Sequence, residues 1–152
     1  MKHFQKILLF SINNHRFALN MNQVDRVIQA VAVNPVPDSS PILNGLVDYH
    51  GEVIPVLNFR YRLKLEEKPT GVNDFFILTN TSSRRFFIIA TEVQGIIETS
   101  EQDIISVTDL EPGAGVSGVI QREDGLYFIY DLEKFITSNE DIELEKVITG
   151  DE

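Results

Sequence analysis

Groups able to do chemistry are few in this chain, and their spacing suits it poorly. Gly113-Ala114-Gly115-Val116-Ser117-Gly118 spells the GxGxxG pattern, which in other settings cradles a pyrophosphate on backbone amides. That use needs a strand before the glycines and a helix N-terminus after them. Here Glu111-Pro112 precedes and the strand-like Val119-Ile120 follows, so a turn entering a strand is expected. His3, His15 and His50 lie far apart, one near the terminus and two in turns, without ligand spacing. Glu66-Glu67 and Glu123-Asp124 pair carboxylates in loops, where solvation accounts for them. Acid–base catalysis would require one of a pair driven to a different pKa by its surroundings. Asn80-Thr81-Ser82 is a glycosylation acceptor in form only, because it needs secretion. The absence of cysteine removes disulfides, thiolate nucleophiles and Cys metal sites together. No catalytic residue, cofactor or metal is expected.

Charge narrows the partners. The net charge is −10, and the tail places Glu140, Asp141, Glu143, Glu145, Asp151 and Glu152 against Lys146. Such a protein repels nucleic acid and anionic membrane, which are polyanions themselves. No apolar run approaches the ~20 residues that cross a bilayer. Ile7-Leu8-Leu9-Phe10 is too short for a signal-peptide core and lacks a small-residue cleavage site after it. A cytoplasmic protein without direct membrane insertion is expected. At 152 residues the chain makes one domain or two tightly joined subdomains.

The elements that must position any site are mostly strands. Lys6–Ile12 and Arg16–Met21 flank a tight Asn13-Asn14 turn. Asn22 is expected to cap a helical turn before a strand at Arg26–Val33. Residues 34–41 hold three prolines and read as an irregular loop. Leu46–Tyr49 and Val53–Asn58 form a hairpin around His50-Gly51, with Pro55 placing its strand at an edge or bulge. Phe59–Leu65 reads as a short helix or turn. Asp74–Thr79 and Arg85–Thr91 pair around Thr81-Ser82-Ser83, and Ser100 precedes an acidic helical turn. Gly118–Gln121 and Leu126–Tyr130 close the last hairpin; Asp131 then caps a helix with Leu132, Phe135 and Ile136 on one face. The acidic tail 137–152 is either a helix, docked through Leu144, Val147 and Ile148, or disordered.

These elements repeat. Moving residues 7–28 forward by 69 lays them on residues 76–97, with Arg16-Phe17 on Arg85-Phe86 and Val27-Ile28 on Ile96-Ile97. A shift of 73 lays Gly45-Leu46-Val47 on Gly118-Val119-Ile120 and Asn58 on Asp131. Two related β-rich halves follow, each too small to bury a good core alone.

One segment carries more specific information than any other: Gly45-Leu46-Val47-Asp48-Tyr49-His50-Gly51-Glu52-Val53-Ile54-Pro55-Val56-Leu57-Asn58-Phe59-Arg60. It resembles the signature of the CheW-like chemotaxis coupling proteins, approximately Gly-Val-Ile-x-x-Arg-Gly-x-x-Ile-Pro-Val-x-Asp-Leu-Arg. Phe17-Ala18-Leu19 through Val24 and Val27 is similar to that family's opening hairpin. Val36-Pro37 and Pro41 match its proline loop, and Val116 through Asp131-Leu132 its closing hairpin. The resemblance covers essentially the whole chain.

It implies a mainly β fold: two small SH3-like five-stranded β-barrel subdomains packed together, with short helical turns and a C-terminal helix. Residues 1–152 would form a single CheW-like domain of two interleaved barrels. The implied function is a non-enzymatic adaptor between chemoreceptor cytoplasmic tips and the regulatory domain of a CheA-type histidine kinase. Receptor engagement would resemble a helical hairpin meeting a groove between barrels, and kinase engagement would use barrel-end loops. The implied contact residues are Asp48, Tyr49, His50, Gly51, Glu52 and Arg60. Two departures stand out: His50 replaces the family's Arg, and Thr91 replaces an acidic residue. His offers at most two donors where Arg offers a permanent charge and a planar fork. The alternative is a stand-alone β-barrel, ligand-binding or enzymatic, with its site between the halves.

Overall fold

The computed structural model describes residues 4–107 and 115–149. In chain order the strands are β1 (Phe4–Ile12), β2 (His15–Asn20), β3 (Val24–Gln29), β4 (Leu43–Tyr49) and β5 (Glu52–Leu57), followed by helix α1 (Phe59–Arg62). Then come β6 (Phe75–Asn80), β7 (Arg85–Ala90), β8 (Glu92–Ser100), β9 (Ile105–Ser106), β10 (Val116–Arg122) and β11 (Gly125–Tyr130). Helices α2 (Leu132–Phe135) and α3 (Ser138–Thr149) complete the described chain.

The strands form two sheets, ordered β8-β1-β2-β11-β10-β9 and β3-β6-β7-β5-β4. The sequence repeat equates β1, β2, β3, β4 and β5 with β6, β7, β8, β10 and β11. Applied to the first sheet, that equivalence reproduces the order of the second. Each sheet therefore draws strands from both halves, because β3 crosses to pair with β6 and β8 crosses back to pair with β1. The registers agree residue by residue. Leu9 faces Gly95 as Leu78 faces Arg26, and both ladders carry a bulge beside that pair. Val47 faces Ile54 as Ile120 faces Tyr127, again with matching bulges. The short strand β9, paired with Gly118 and Val119, does for the first sheet what the Asn34–Leu46 bridge does for the second.

Packing explains the unbroken apolar runs. Ile7 and Leu9 point into a cluster with Ala18, Ile120 and Tyr127, while Leu8, Phe10 and Ile12 point into the cluster between the sheets. In the other sheet Phe76, Leu78, Phe87 and Ile89 face inward, and Ile77, Phe86 and Ile88 face the shared cluster. The central strands are thus covered on both faces, so they lack the apolar–polar alternation of a half-exposed sheet. Across the junction Phe59 meets Phe135 at 4.5 Å between centroids, and within the first sheet Phe17 of β2 meets Tyr130 of β11 at 5.2 Å. The architecture is the expected mainly β pair of SH3-like barrels.

Several local expectations change. Pro55 lies in an interior strand, not at an edge. It stands just before the short parallel pairing of Val56 and Leu57 with β7, where its missing N–H is tolerated. The helical turn at Met21–Gln23 is capped by Asn20, whose side chain accepts from the Asn22 amide, so Asn22 is not the cap. β3 ends at Gln29, well short of Val33. Ser100 makes no backbone cap; its hydroxyl donates to Asp103 instead. Asp131 does cap α2, accepting from the Glu133 amide at 3.0 Å, as its equivalent Asn58 caps α1 through the Tyr61 amide. The GxGxxG residues Gly113 and Ala114 lie outside the described residues, and strand β10 follows Gly115. The tail is helical: Leu144 is buried in the shared cluster, with Val147 packed against it. Residues 150–152 lie outside the described chain.

Candidate functional site

The segment with the most specific sequence forms an outward turn at one end of the second sheet. β4 and β5 close through His50 and Gly51, whose φ angles of 54° and 89° are both left-handed. That geometry is the one a two-residue hairpin prefers, since its twist matches the strands. Asp48 fixes the turn by accepting the Gly51 amide at 3.0 Å. His50 is exposed, its ring lying edge-on to Tyr49 at 4.4 Å, and it has no hydrogen bond among the described residues.

The neighbours of the turn are committed to holding it. Tyr49 is half-buried, edge-on to Phe87 at 5.6 Å, and its hydroxyl accepts from Arg26 Nη1 at 2.9 Å. Glu52 accepts from Arg85 Nη1 at 2.7 Å, and Arg85 also donates through Nε to Asp25 at 3.2 Å. Asn80 donates to the other Asp25 oxygen at 2.7 Å. Strands β3, β5, β6 and β7 thus share one polar lattice around the hairpin. Sequence reasoning missed Asp25, Arg26 and Asn80; only Arg85 carried a signal, through its match to Arg16.

Of the six expected contact residues, the fold brings Asp48, Tyr49, His50, Gly51 and Glu52 together. Arg60 is not among them. It lies in α1 beyond the far end of β5, is 6% exposed, and donates to Asn13 of the β1–β2 turn at 3.3 Å. Its Nε has no hydrogen-bond partner among the described residues. Arg60 therefore ties the two sheets together, leaving His50 as the most available side chain of the set.

A second feature is the helix α3, held across the junction by two arginines. Arg84 Nε donates to Asp141 at 2.6 Å and Nη2 to Glu145 at 3.0 Å. Burial works against the charge on Arg84, but these two carboxylates outweigh it and raise its pKa. Arg62 donates to Glu140 at 3.1 Å and to the Phe135 carbonyl at 3.0 Å, with its guanidinium 4.6 Å from the centre of the Phe135 ring.

The first sheet's turn differs. Tyr127 is buried and donates to Asp124 at 2.5 Å. Burial and that bond push the Tyr127 hydroxyl up to about 12, while the same bond lowers Asp124. Among the described residues no group of His, Cys, Asp or Glu is placed to hold a metal ion, and no helix is long and apolar enough to cross a membrane. His15, expected in a turn, opens strand β2, and His50 sits in the β4–β5 turn.

The CheW-like domain model matches residues 6–140, and the chain belongs to that family. It is 21% identical over 142 residues to the chemotaxis protein CheW of Treponema pallidum, covering 89% of this chain and 84% of that one. It is 25% identical over 141 residues to the CheW of Thermotoga maritima, covering 90% and 89%. Against the CheW of Bacillus subtilis the identity is 28% over 123 residues, covering 79% and 72%. The fold matches the crystal structure of the scaffolding protein TtCheW from Thermoanaerobacter tengcongensis with a TM-score of 0.80, at 20% identity and 91% coverage of both chains.

Proposed function

We propose that this chain couples the cytoplasmic tips of chemoreceptors to the regulatory domain of a CheA-type histidine kinase, in the cytoplasm and without catalysing a reaction. The observation that carries this reading is the outward β4–β5 turn, which stands where the family signature falls within the match over residues 6–140. Residues 1–152 act as one domain of two interleaved barrels. His50, flanked by Asp48, Tyr49, Gly51 and Glu52, is assigned to partner contact, whereas Arg60 lies buried at the far end of β5. Val31 and Ile105 stand exposed beyond β3 and in β9, and apolar side chains of this kind anchor interfaces once water is excluded. Holding both partners on one body raises the effective concentration of kinase near receptor. The test is reconstitution: receptor in vesicles, kinase, and the chain added or omitted. Kinase autophosphorylation should answer to receptor ligand only when the chain is present; equal ligand response without it would refute the coupling role.

A further inference from the structure

The equivalence of the two sheets exposes one place where they differ in kind. In the second sheet the seam between β3 and the β4–β5 hairpin is bridged by Arg26 and Tyr49. In the first sheet the equivalent residues are Gly95 and Arg122, at the same register positions beside the same bulge. Gly95 contributes no side chain, and a Cβ built there would meet nothing within 4 Å. The bridge is missing, and the seam opens into a trough of about 770 Å³ between β8 and the β10–β11 turn. Leu9 and Tyr127, both buried, line the trough, and Ile96, 57% exposed, stands beside them.

The polar lattice is also incomplete there. Arg85 of the second sheet holds Asp25 and Glu52; its equivalent Arg16 finds Gln94 and Gly125 in their places. Gln94 donates to Ser11 at 3.2 Å where Asn80 bonds Asp25, and to its own strand's Glu92 at 3.5 Å. Arg122 is exposed and has no hydrogen bond or ion pair among the described residues. The outer edge of β8 has no partner strand among the described residues, since β8 pairs only with β1. An unpaired edge beside a trough is the geometry on which an extended segment adds as a further strand.

We infer that this open seam docks an extended segment of a partner protein through a tyrosine, which rebuilds with Arg122 the bridge that Arg26 and Tyr49 make in the other barrel. The chain itself shows what fits such a seam. A ring fills the space over the core, and its hydroxyl accepts from a guanidinium. In the first sheet the guanidinium has moved to the β10 side, so the ring must enter from the β8 side, over Gly95. A carboxylate would also satisfy Arg122, but Glu123 and Asp124 line the trough and repel a further negative charge. A neutral acceptor with an aromatic body suits both the floor and the rim. Charged Glu92 and Glu98 and the bulge at Gln94 limit strand pairing to the short stretch around Gly95–Ile97. This surface is distinct from the β4–β5 turn and does not depend on the coupling role.

The probe is a set of N-acetylated, amidated pentapeptides with the frame Thr-Val-…-Val-Thr and Tyr, Phe or Glu at the centre. They are titrated into the ¹⁵N-labelled full chain. The Tyr peptide should shift the amides of Gly95–Ile97 and Gln121–Asp124 saturably. It should bind roughly tenfold tighter than the Phe peptide, the usual worth of a hydrogen bond from a charged donor, and tighter than the Glu peptide. Arg122→Leu, at an exposed position, should fold normally and erase the Tyr-over-Phe preference. The inference is overturned by shifts elsewhere or none at millimolar peptide, by equal or better binding of the Phe or Glu peptide, or by a preference that survives Arg122→Leu.

Discussion

Cutting the chain between β5 and β6 should leave two pieces that are each unfolded and that fold on mixing. The segment from Lys64 to Asp74 is the natural place, because it carries no strand or helix beyond the end of α1 and is mostly exposed. A fragment of residues 1–70 keeps the β1–β2 and β4–β5 hairpins but loses every partner that turns them into sheets: β8 for β1, β6 for β3, β11 for β2 and β7 for β5. Its Ile7, Leu8, Phe10, Ile12, Leu19 and Val56, all within 1% of full burial in the whole chain, lose much of their cover. Burial of such a side chain is worth about 1.5–3 kcal/mol, so exposing even half of their area forfeits on the order of 5–10 kcal/mol. That equals the whole stability of a typical domain, about 5–15 kcal/mol. The assay is the amide dispersion of each fragment in a ¹⁵N spectrum, alone and after equimolar mixing. Both should be collapsed alone and dispersed together. A dispersed spectrum and cooperative melting from either fragment alone would refute the exchanged-sheet reasoning.

Other outcomes follow from single contacts. Arg84→Ala removes the bonds to Asp141 and Glu145 and should release α3 with a loss of about 1–3 kcal/mol, the worth of charge-assisted hydrogen bonds from a guanidinium that is nearly buried; amide exchange should quicken across α3 and stay slow in β1. Tyr127 has a hydroxyl pKa raised from 10.0 to about 12, so its contribution to stability is complete below pH 10 and is lost as pH rises towards 12. Alkaline unfolding in that window should flatten in Tyr127→Phe, at the cost of the Asp124 bond at neutral pH. His50→Arg restores a permanent charge at an exposed turn and should tighten receptor-tip binding by a few-fold, the scale of an exposed ionic contact, without moving the melting temperature; calorimetric titration reads it.

Much of the fold was legible in the sequence, for a physical reason. Apolar runs such as Ile7–Phe10 and Phe86–Ile89 are long because both faces of those strands are buried, and the repeat preserved them nearly position by position. Equivalence between strands does not say which strands pair, so the crossing of β3 to β6 was invisible until the registers were seen. β8 escaped because Glu92, Gln94, Gly95 and Glu98 break its apolar pattern, yet those residues are the exposed face and the bulge of a real strand. At the candidate site the turn was readable from His50-Gly51, since few pairs accept two left-handed residues. The fate of Arg60 was not. Arginine is seldom buried, and only the approach of the β1–β2 turn encloses it. Tyr49, expected among the contact residues, is likewise drawn in by Arg26 and Phe87; Arg26 lies on a strand far from it in sequence.

The most direct test of the account is whether one molecule of this chain holds two partners at once. Receptor cytoplasmic fragment, kinase regulatory domain and the chain, mixed and followed by sedimentation velocity, should give a species containing all three. His50→Arg should increase the receptor share of that species. Competition between receptor and kinase for the chain, or binding of neither, would contradict a scaffold with two faces.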